Sequence, residues 1–136
     1  KIKIYIDNFK NKNISEKRLL KKLTNHKINL ICLAGFMKIL SKNFIQKFKK
    51  PILNIHPSLL PKYKGLNTHK KVIENKEKYS GSTVHIVSSK LDSGRIILQK
   101  KIKLAKFENE KTLEKKILKI EHKLYYKALK KFLFNL

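Results

Sequence analysis

Arginine is almost missing from this sequence of 136 residues: of 34 basic residues only Arg18 and Arg95 carry a guanidinium. The guanidinium fork is the group that best reads phosphates and base edges. A formal charge of +25 made of lysine scattered along the whole chain therefore argues against a nucleic-acid-binding module, whose basic residues gather on one element and interleave with aromatics. Isoleucine and asparagine are also abundant, and Lys, Ile and Asn share AT-rich codons, so genome composition accounts for the charge. Its positive field still draws anionic substrates such as phosphates and polyglutamates. Cysteine is nearly absent as well. Cys32 alone allows no internal disulfide, and a reducing cytoplasm is the expected home. Lying in an apolar run, Cys32 is expected in the core. The four glycines, Gly35, Gly65, Gly81 and Gly94, are too dispersed for a phosphate-cradling loop. No apolar stretch approaches a membrane span, the longest covering residues 30–36, and no secretory leader opens the sequence. The five histidines show no spacing with carboxylates or Cys32 that suits a metal, so none is expected.

What is present suffices for one domain. Hydrophobic residues make up 41%, enough to bury a core despite 32% charged residues. Residues 1–6 alternate apolar and polar as a strand does. Ser15 is placed to cap a helix with the stripe Leu19, Leu20 and Leu23, ending near Asn25. Residues 30–34 form the continuous apolar run of a buried parallel strand, which Gly35 ends. Ser41 caps a short helix carrying Phe44, Ile45 and Phe48, closed by Pro51. A second buried strand covers 52–55, followed by the loop His56-Pro-Ser-Leu-Leu-Pro61 and a helix over 69–75. Strands are expected at 82–88 and 96–104, joined by a turn at Leu91-Asp-Ser-Gly94. Asn109 caps a long helix with Leu113, Ile117, Ile120, Leu124 and Leu129 at helical spacing. Alternating strands and helices give an α/β fold: an open sheet flanked by helices, mostly parallel and parallel at least in its first half.

Ligands of such sheets sit beyond the carboxyl ends of the strands. There the strand at 52–55 delivers Asn54 and His56, two apart and so leaving an extended backbone on the same side. An amide can steady a developing oxyanion, worth about 2.7–4 kcal/mol for one such donor, while an imidazole moves protons near neutral pH. A carboxylate such as Asp92 beside the imidazole would favour its charged form and fix its orientation. On spacing alone the signal is weak, because an Asn at a strand end more often satisfies loop backbone and a His before Pro is more often structural.

A longer set of segments is decisive. Leu33-Ala-Gly-Phe-Met-Lys-Ile-Leu40, Leu53-Asn-Ile-His-Pro-Ser-Leu-Leu-Pro-Lys-Tyr63, Gly65-Leu-Asn-Thr-His69, Gly81-Ser-Thr-Val-His-Ile-Val87, Leu91-Asp-Ser-Gly94 and Ile97-Leu-Gln99, in that order, resemble the phosphoribosylglycinamide formyltransferase family, from the first helix to about Tyr126. Methionyl-tRNA formyltransferases share the His-Pro-Ser-Leu-Leu-Pro block but follow the later Gly with Ala-Ala-Pro. Formyl-folate hydrolases carry His-His-Ser-Phe-Leu-Pro. Pro57 and Gly65-Leu-Asn-Thr-His69 favour the purine enzyme.

The resemblance implies a Rossmann-like formyltransferase fold and one domain over residues 1–136. It implies direct transfer of a formyl group from 10-formyltetrahydrofolate to the amine of glycinamide ribonucleotide, in purine biosynthesis. Asn54 is similar to the family's oxyanion-binding Asn, His56 to its proton-donating His, and Asp92 to the Asp that keeps that His charged and shuttles a proton through water. Met37, Lys38, Ile39 and Leu40 resemble the backbone that receives the pterin ring, with Lys38 where Arg is common. Ser88, Ser89, Lys90, Leu91 and Asp92 resemble the folate loop. Glu121 is similar to the acidic residue that holds the glycinamide substrate, with Pro57 nearby. Lys12 stands where a basic folate contact would, in a poorly matching stretch. Without the family, Glu121 reads as a solvated helix face.

One departure counts. The family opens with a strand and a Gly-Ser-Asn loop for the substrate phosphate, and this sequence shows neither; opening on Lys1 rather than Met and stopping at Leu136 directly after an amphipathic run, it is expected to be truncated at both ends. The competing expectations are a formyltransferase for another amine, such as methionyl-tRNA, and a basic nucleic-acid-binding module. The leading expectation takes small-molecule partners only, with no nucleic acid and no membrane.

Overall fold

The computed structural model describes residues 2–134. In chain order these form α1 (Lys12–Asn25), β1 (Ile31–Leu33), α2 (Lys42–Phe48), β2 (Ile52–His56), α3 (Thr68–Glu74), β3 (Tyr79–Ile86), β4 (Ile96–Lys103) and α4 (Glu110–Phe134). The four strands lie side by side in the order β1-β2-β3-β4. The α/β class and the helix-flanked open sheet expected from the sequence are what forms. The sheet is mixed: β1 and β2 pair in parallel, as expected of the first half, whereas β2–β3 and β3–β4 are antiparallel. The parallel run therefore stops after its first pair among the described strands. The physical reason lies in the connections. The chain leaves β2 at His56, makes an excursion through α3 and re-enters beside the same strand end, pairing Thr83 with His56, so α3 is no crossover.

Helix starts follow side-chain acceptors. Asn11, not Ser15, caps α1, its side chain accepting the Ile14 N–H at 3.2 Å. Ser15 is buried inside the helix and donates to Asp7 Oδ1 at 2.6 Å. Either side chain could cap, and the one a turn earlier starts the helix. Ser41 caps α2 as expected, accepting the Phe44 N–H at 3.0 Å. The buried Glu16 of α1 accepts the Ser41 N–H at 2.7 Å and so locks α1 to the start of α2. Asn109 caps α4, accepting the Thr112 N–H at 3.0 Å.

Residues 2–6 form no strand, contrary to their alternation. Ile2, Ile4 and Ile6 are 91%, 81% and 96% exposed, because no neighbouring ladder receives them. The segment rests on α1 instead, through the Tyr5 hydroxyl on His26 Nε2 and Lys22 Nζ 3.7 Å from the Tyr5 ring centre. Lys1, first in that expected strand, lies outside the described residues. Cys32 is exposed, not core, because β1 is an edge strand of three residues with one side open.

The core falls on two sides of the sheet. Leu40, Phe44, Phe48 and Ile52 form one cluster with the leucines of α1. Ile55 and Val84 meet Leu124 and Ala128 of α4, while Val72 meets Leu113 and Ile117. The apolar stripe of α4 thus grips β2, β3 and α3 together. At the mouth of the 87–95 loop, Gly94 presses on the backbone: a Cβ there would lie 1.6 Å from the Ile86 carbonyl oxygen. Both loop ends are pinned, Val87 N–H to Ile52 O at 2.7 Å and Ile86 N–H to Arg95 O at 2.9 Å.

Phe44 is fully buried, so Phe44→Ala should lose about 3–5 kcal/mol in urea unfolding. A loss below about 1 kcal/mol would contradict the packing described. Gly94→Ala should be destabilised by roughly 1–3 kcal/mol through displacement of the loop mouth, read as a lowered unfolding midpoint. An unchanged midpoint would show that the loop does not close this tightly.

Candidate active site

β2 carries Asn54 and His56 to its carboxyl end, and its antiparallel neighbour sets His85 opposite Asn54. The 87–95 loop then folds back and brings Asp92 between the two histidines. Asp92 Oδ2 lies 3.5 Å from His56 Nδ1, and Oδ1 lies 3.7 Å from His85 Nε2. The Gly65 N–H donates to Oδ2 at 2.8 Å. Only 8% of this side chain is exposed, so the Gly65 N–H and the two ring edges take the place of water around a buried carboxylate. The geometry demands unusual backbone on both sides: Asp92 has φ 44° and Gly65 φ 76°, the left-handed region that glycine enters without strain.

Hydrogen-bond polarity follows from the partners. His56 Nε2 lies 2.8 Å from the Tyr63 carbonyl oxygen, so that nitrogen donates. At 3.5 Å its Nδ1 is in ionic reach of Asp92 but beyond a direct hydrogen bond, leaving that ring edge open to an oxygen entering the cavity. His85 Nδ1 donates to its neighbour carbonyl Ile86 O at 3.1 Å. Burial pushes the His85 imidazole below its ordinary range, only partly offset by the Ile86 carbonyl and by Asp92. A neutral ring with Nδ1–H has a lone pair on Nε2, which accepts from Asn54 Nδ2 at 3.4 Å. That leaves the second amide hydrogen of Asn54 for a ligand.

The loop after His56 is rigidly laced. Thr83 Oγ1 donates to Ser58 O at 2.6 Å and accepts from Leu60 N–H and from Gln99 Nε2, which also donates to Leu60 O. Ser82, behind it, places its hydroxyl 2.9 Å from the His56 carbonyl oxygen and 3.2 Å from Glu121 Oε1. Burial raises the Glu121 carboxyl above the ordinary range, with the Ser82 hydroxyl and His122 pulling it back. Glu110 and Glu114 lie on the same helix near His69, whose imidazole burial pushes down while the two carboxylates push up.

Asn54, His56, Gly65, His85, Asp92 and Glu121 open into one cavity of about 510 Å³. Met37, Lys38, Ile39 and Leu40 line it, as do Asn54, His56, Pro57, Ser88, Lys90, Leu91, Asp92 and Glu121. Two residues singled out in the sequence do not: Ser89 is exposed on the 87–95 loop, and Lys12 is exposed in the first turn of α1. The backbone over residues 36–40 enters no helix or strand, and Met37 and Ile39 are exposed beside it. A flat heterocycle needs such a place, with apolar faces and backbone groups outside any ladder for its polar edge. His85, His69, Glu110 and Glu114 also line the cavity, and sequence reasoning passed over them. For His85 the missing signal was the antiparallel register that sets it against Asn54. For Glu110 and Glu114 it was their one-turn spacing on α4, which looks like any solvated helix face.

Comparison with known proteins places the chain in a family. The profile of the formyl transferase family matches residues 3–129. Phosphoribosylglycinamide formyltransferase of Haemophilus influenzae is 44% identical over 105 residues, 77% of this chain and 50% of that protein. The enzyme of that name from Escherichia coli is 37% identical over 117 residues, 86% of this chain and 55% of that protein. The human trifunctional purine biosynthetic protein adenosine-3 is 43% identical over 107 residues, 79% of this chain and 11% of that protein. Among solved structures, phosphoribosylglycinamide formyltransferase from Brucella melitensis superposes with a TM-score of 0.85 at 40% identity, covering 95% of this chain and 66% of that one. The chain thus spans about half the length of the two bacterial relatives and about a tenth of the human one. A family profile matched over nearly every residue, on a site of this shape, makes the chain a member of the formyl transferase family.

Proposed function

We propose that this chain carries the formyl-transfer site of a phosphoribosylglycinamide formyltransferase, moving the formyl group of 10-formyltetrahydrofolate to the amine of glycinamide ribonucleotide in purine biosynthesis. The observation that carries the reading is Asp92, held by the Gly65 N–H between His56 and His85 with Asn54 alongside. The relatives named for this activity support the choice of acceptor. In this reading residues 1–136 belong to one formyltransferase domain, working in the cytoplasm on small molecules, with no metal and no nucleic-acid or membrane partner. No helix among the described residues is long and apolar enough to cross a membrane.

The apolar stretch over residues 36–40 and the 87–95 loop would hold the folate, the ring edge against backbone groups of the first and the remainder against Ser88, Lys90 and Leu91. The bound folate supplies a formyl carbon on nitrogen, which the acceptor amine attacks as the new C–N bond forms and the old one breaks. Asn54 Nδ2 and His56 Nδ1 donate to the formyl oxygen as it gains charge, and one such donor is worth about 2.7–4 kcal/mol. Asp92, as carboxylate, steadies the charged His56 and takes the amine proton through a bridging water. Glu121 accepts a hydrogen bond from the amine and aims it. Pro57 stiffens the loop that follows His56. Most of the acceleration comes from holding two substrates side by side. Ser89 and Lys12, exposed outside the cavity, would touch the donor only through the part of it that leaves the cavity.

The full-length protein tests this. His56→Ala and Asp92→Ala should each lose at least about 100-fold in transfer while folding normally. Turnover near wild type in either variant would remove that residue from the chemistry. Purified protein offered glycinamide ribonucleotide and initiator methionyl-tRNA should formylate the first alone, and formylation of the tRNA alone would overturn the acceptor assignment.

A further inference from the structure

Ser82 is fully buried on β3, with its hydroxyl between the His56 carbonyl and Glu121. A hydroxyl has one proton to donate. The His56 carbonyl has another donor, the Ser58 N–H at 2.9 Å, whereas Glu121 has no second hydrogen-bond partner among the described residues. We propose that Ser82 is the positioning residue of the acceptor site: its hydroxyl, 2.9 Å from the His56 carbonyl oxygen and 3.2 Å from Glu121 Oε1, gives its one proton to the Glu121 carboxylate and so fixes it, beside the strand end that carries His56, to receive the acceptor amine. This rests on the formyl-transfer reading above. Ser82 thereby sets the distance between the residue that aims the nucleophile and the residue that protonates the product of its attack.

The surroundings leave this task to Ser82. β4 and the outer turns of α4 present Ile97, Leu98, Ile120 and Tyr125 to the core beside Glu121. Of the ionisable groups, His122 on its own helix acts on Glu121, while Glu110, Glu114, His69, His56, His85 and Asp92 line the same cavity. Burial drives the Glu121 carboxyl toward its neutral form, and the Ser82 hydroxyl is the largest influence opposing that. When Glu121 is protonated its own O–H can donate to Ser82, which then donates to the His56 carbonyl, so the aimed acceptor is lost without breaking the link.

Two variants of the full-length protein separate the hydrogen bond from packing. Ser82→Ala removes the hydroxyl and leaves the His56 carbonyl its Ser58 donor, so it should fold. Ser82→Cys keeps the volume with a weak donor. Both should raise the acceptor KM about tenfold while kcat at saturation and the donor KM change by less than about twofold. A carbon-13 NMR titration should move the Glu121 carboxyl midpoint to higher pH in both variants. An unmoved Glu121 midpoint in Ser82→Ala, or kcat and both KM values worsening together, would overturn the proposal. Wild-type protein that ignores glycinamide ribonucleotide would instead remove the acceptor reading and this proposal's role for Ser82 with it, while the titration still decides whether Ser82 governs Glu121.

Discussion

A carboxylate taken out of water needs partners, and Asp92 is enclosed by three parts of the chain at once. Gly65 supplies a backbone N–H at 2.8 Å, and His56 and His85 supply ring edges at 3.5 and 3.7 Å. The 87–95 loop can reach that position only with Asp92 in left-handed backbone and Gly94 flat against Ile86. The strain is localised where the fold over-determines it, at the pinned loop mouth and the laced loop after His56. Conversely, the two imidazoles owe their orientation to the same carboxylate and to the carbonyls of Tyr63 and Ile86.

Charge is distributed against the average of the molecule. The protein has only nine acidic residues against 34 basic ones, yet Asp92, Glu110, Glu114 and Glu121 all line the cavity at the end of β2. Lysine on the outside gives the molecule a positive field that draws anions, while the carboxylates are gathered inside the cavity. Ser82 stands between one of them, Glu121, and the strand end that carries His56.

Much of this was legible in the chain itself. Ser41 and Asn109 announced their helices because each is followed by a strongly periodic apolar stripe, and both cap as expected. Asn54, His56 and Asp92 were readable because a strand end fixes side-chain direction and the matching segments run in order. What failed depended on long-range partners. The alternation in residues 2–6 became no strand for want of a ladder, and Ser15 lost the cap to Asn11. Cys32 looked like core because an apolar run does not say whether its strand lies at a sheet edge. His85 looked like one more alternating strand residue until antiparallel pairing set it against Asn54. Antiparallel pairing itself was hidden, since an excursion helix and a crossover helix have the same periodicity.

The most direct measurement is a crystal structure of the full-length protein with a folate donor analogue whose formyl group cannot be transferred. The account predicts the formyl oxygen about 3 Å from both Asn54 Nδ2 and His56 Nδ1, with the Asp92 carboxylate still bound to the Gly65 N–H. A formyl oxygen beyond reach of both nitrogens, or Asp92 swung out of the space between His56 and His85, would contradict it.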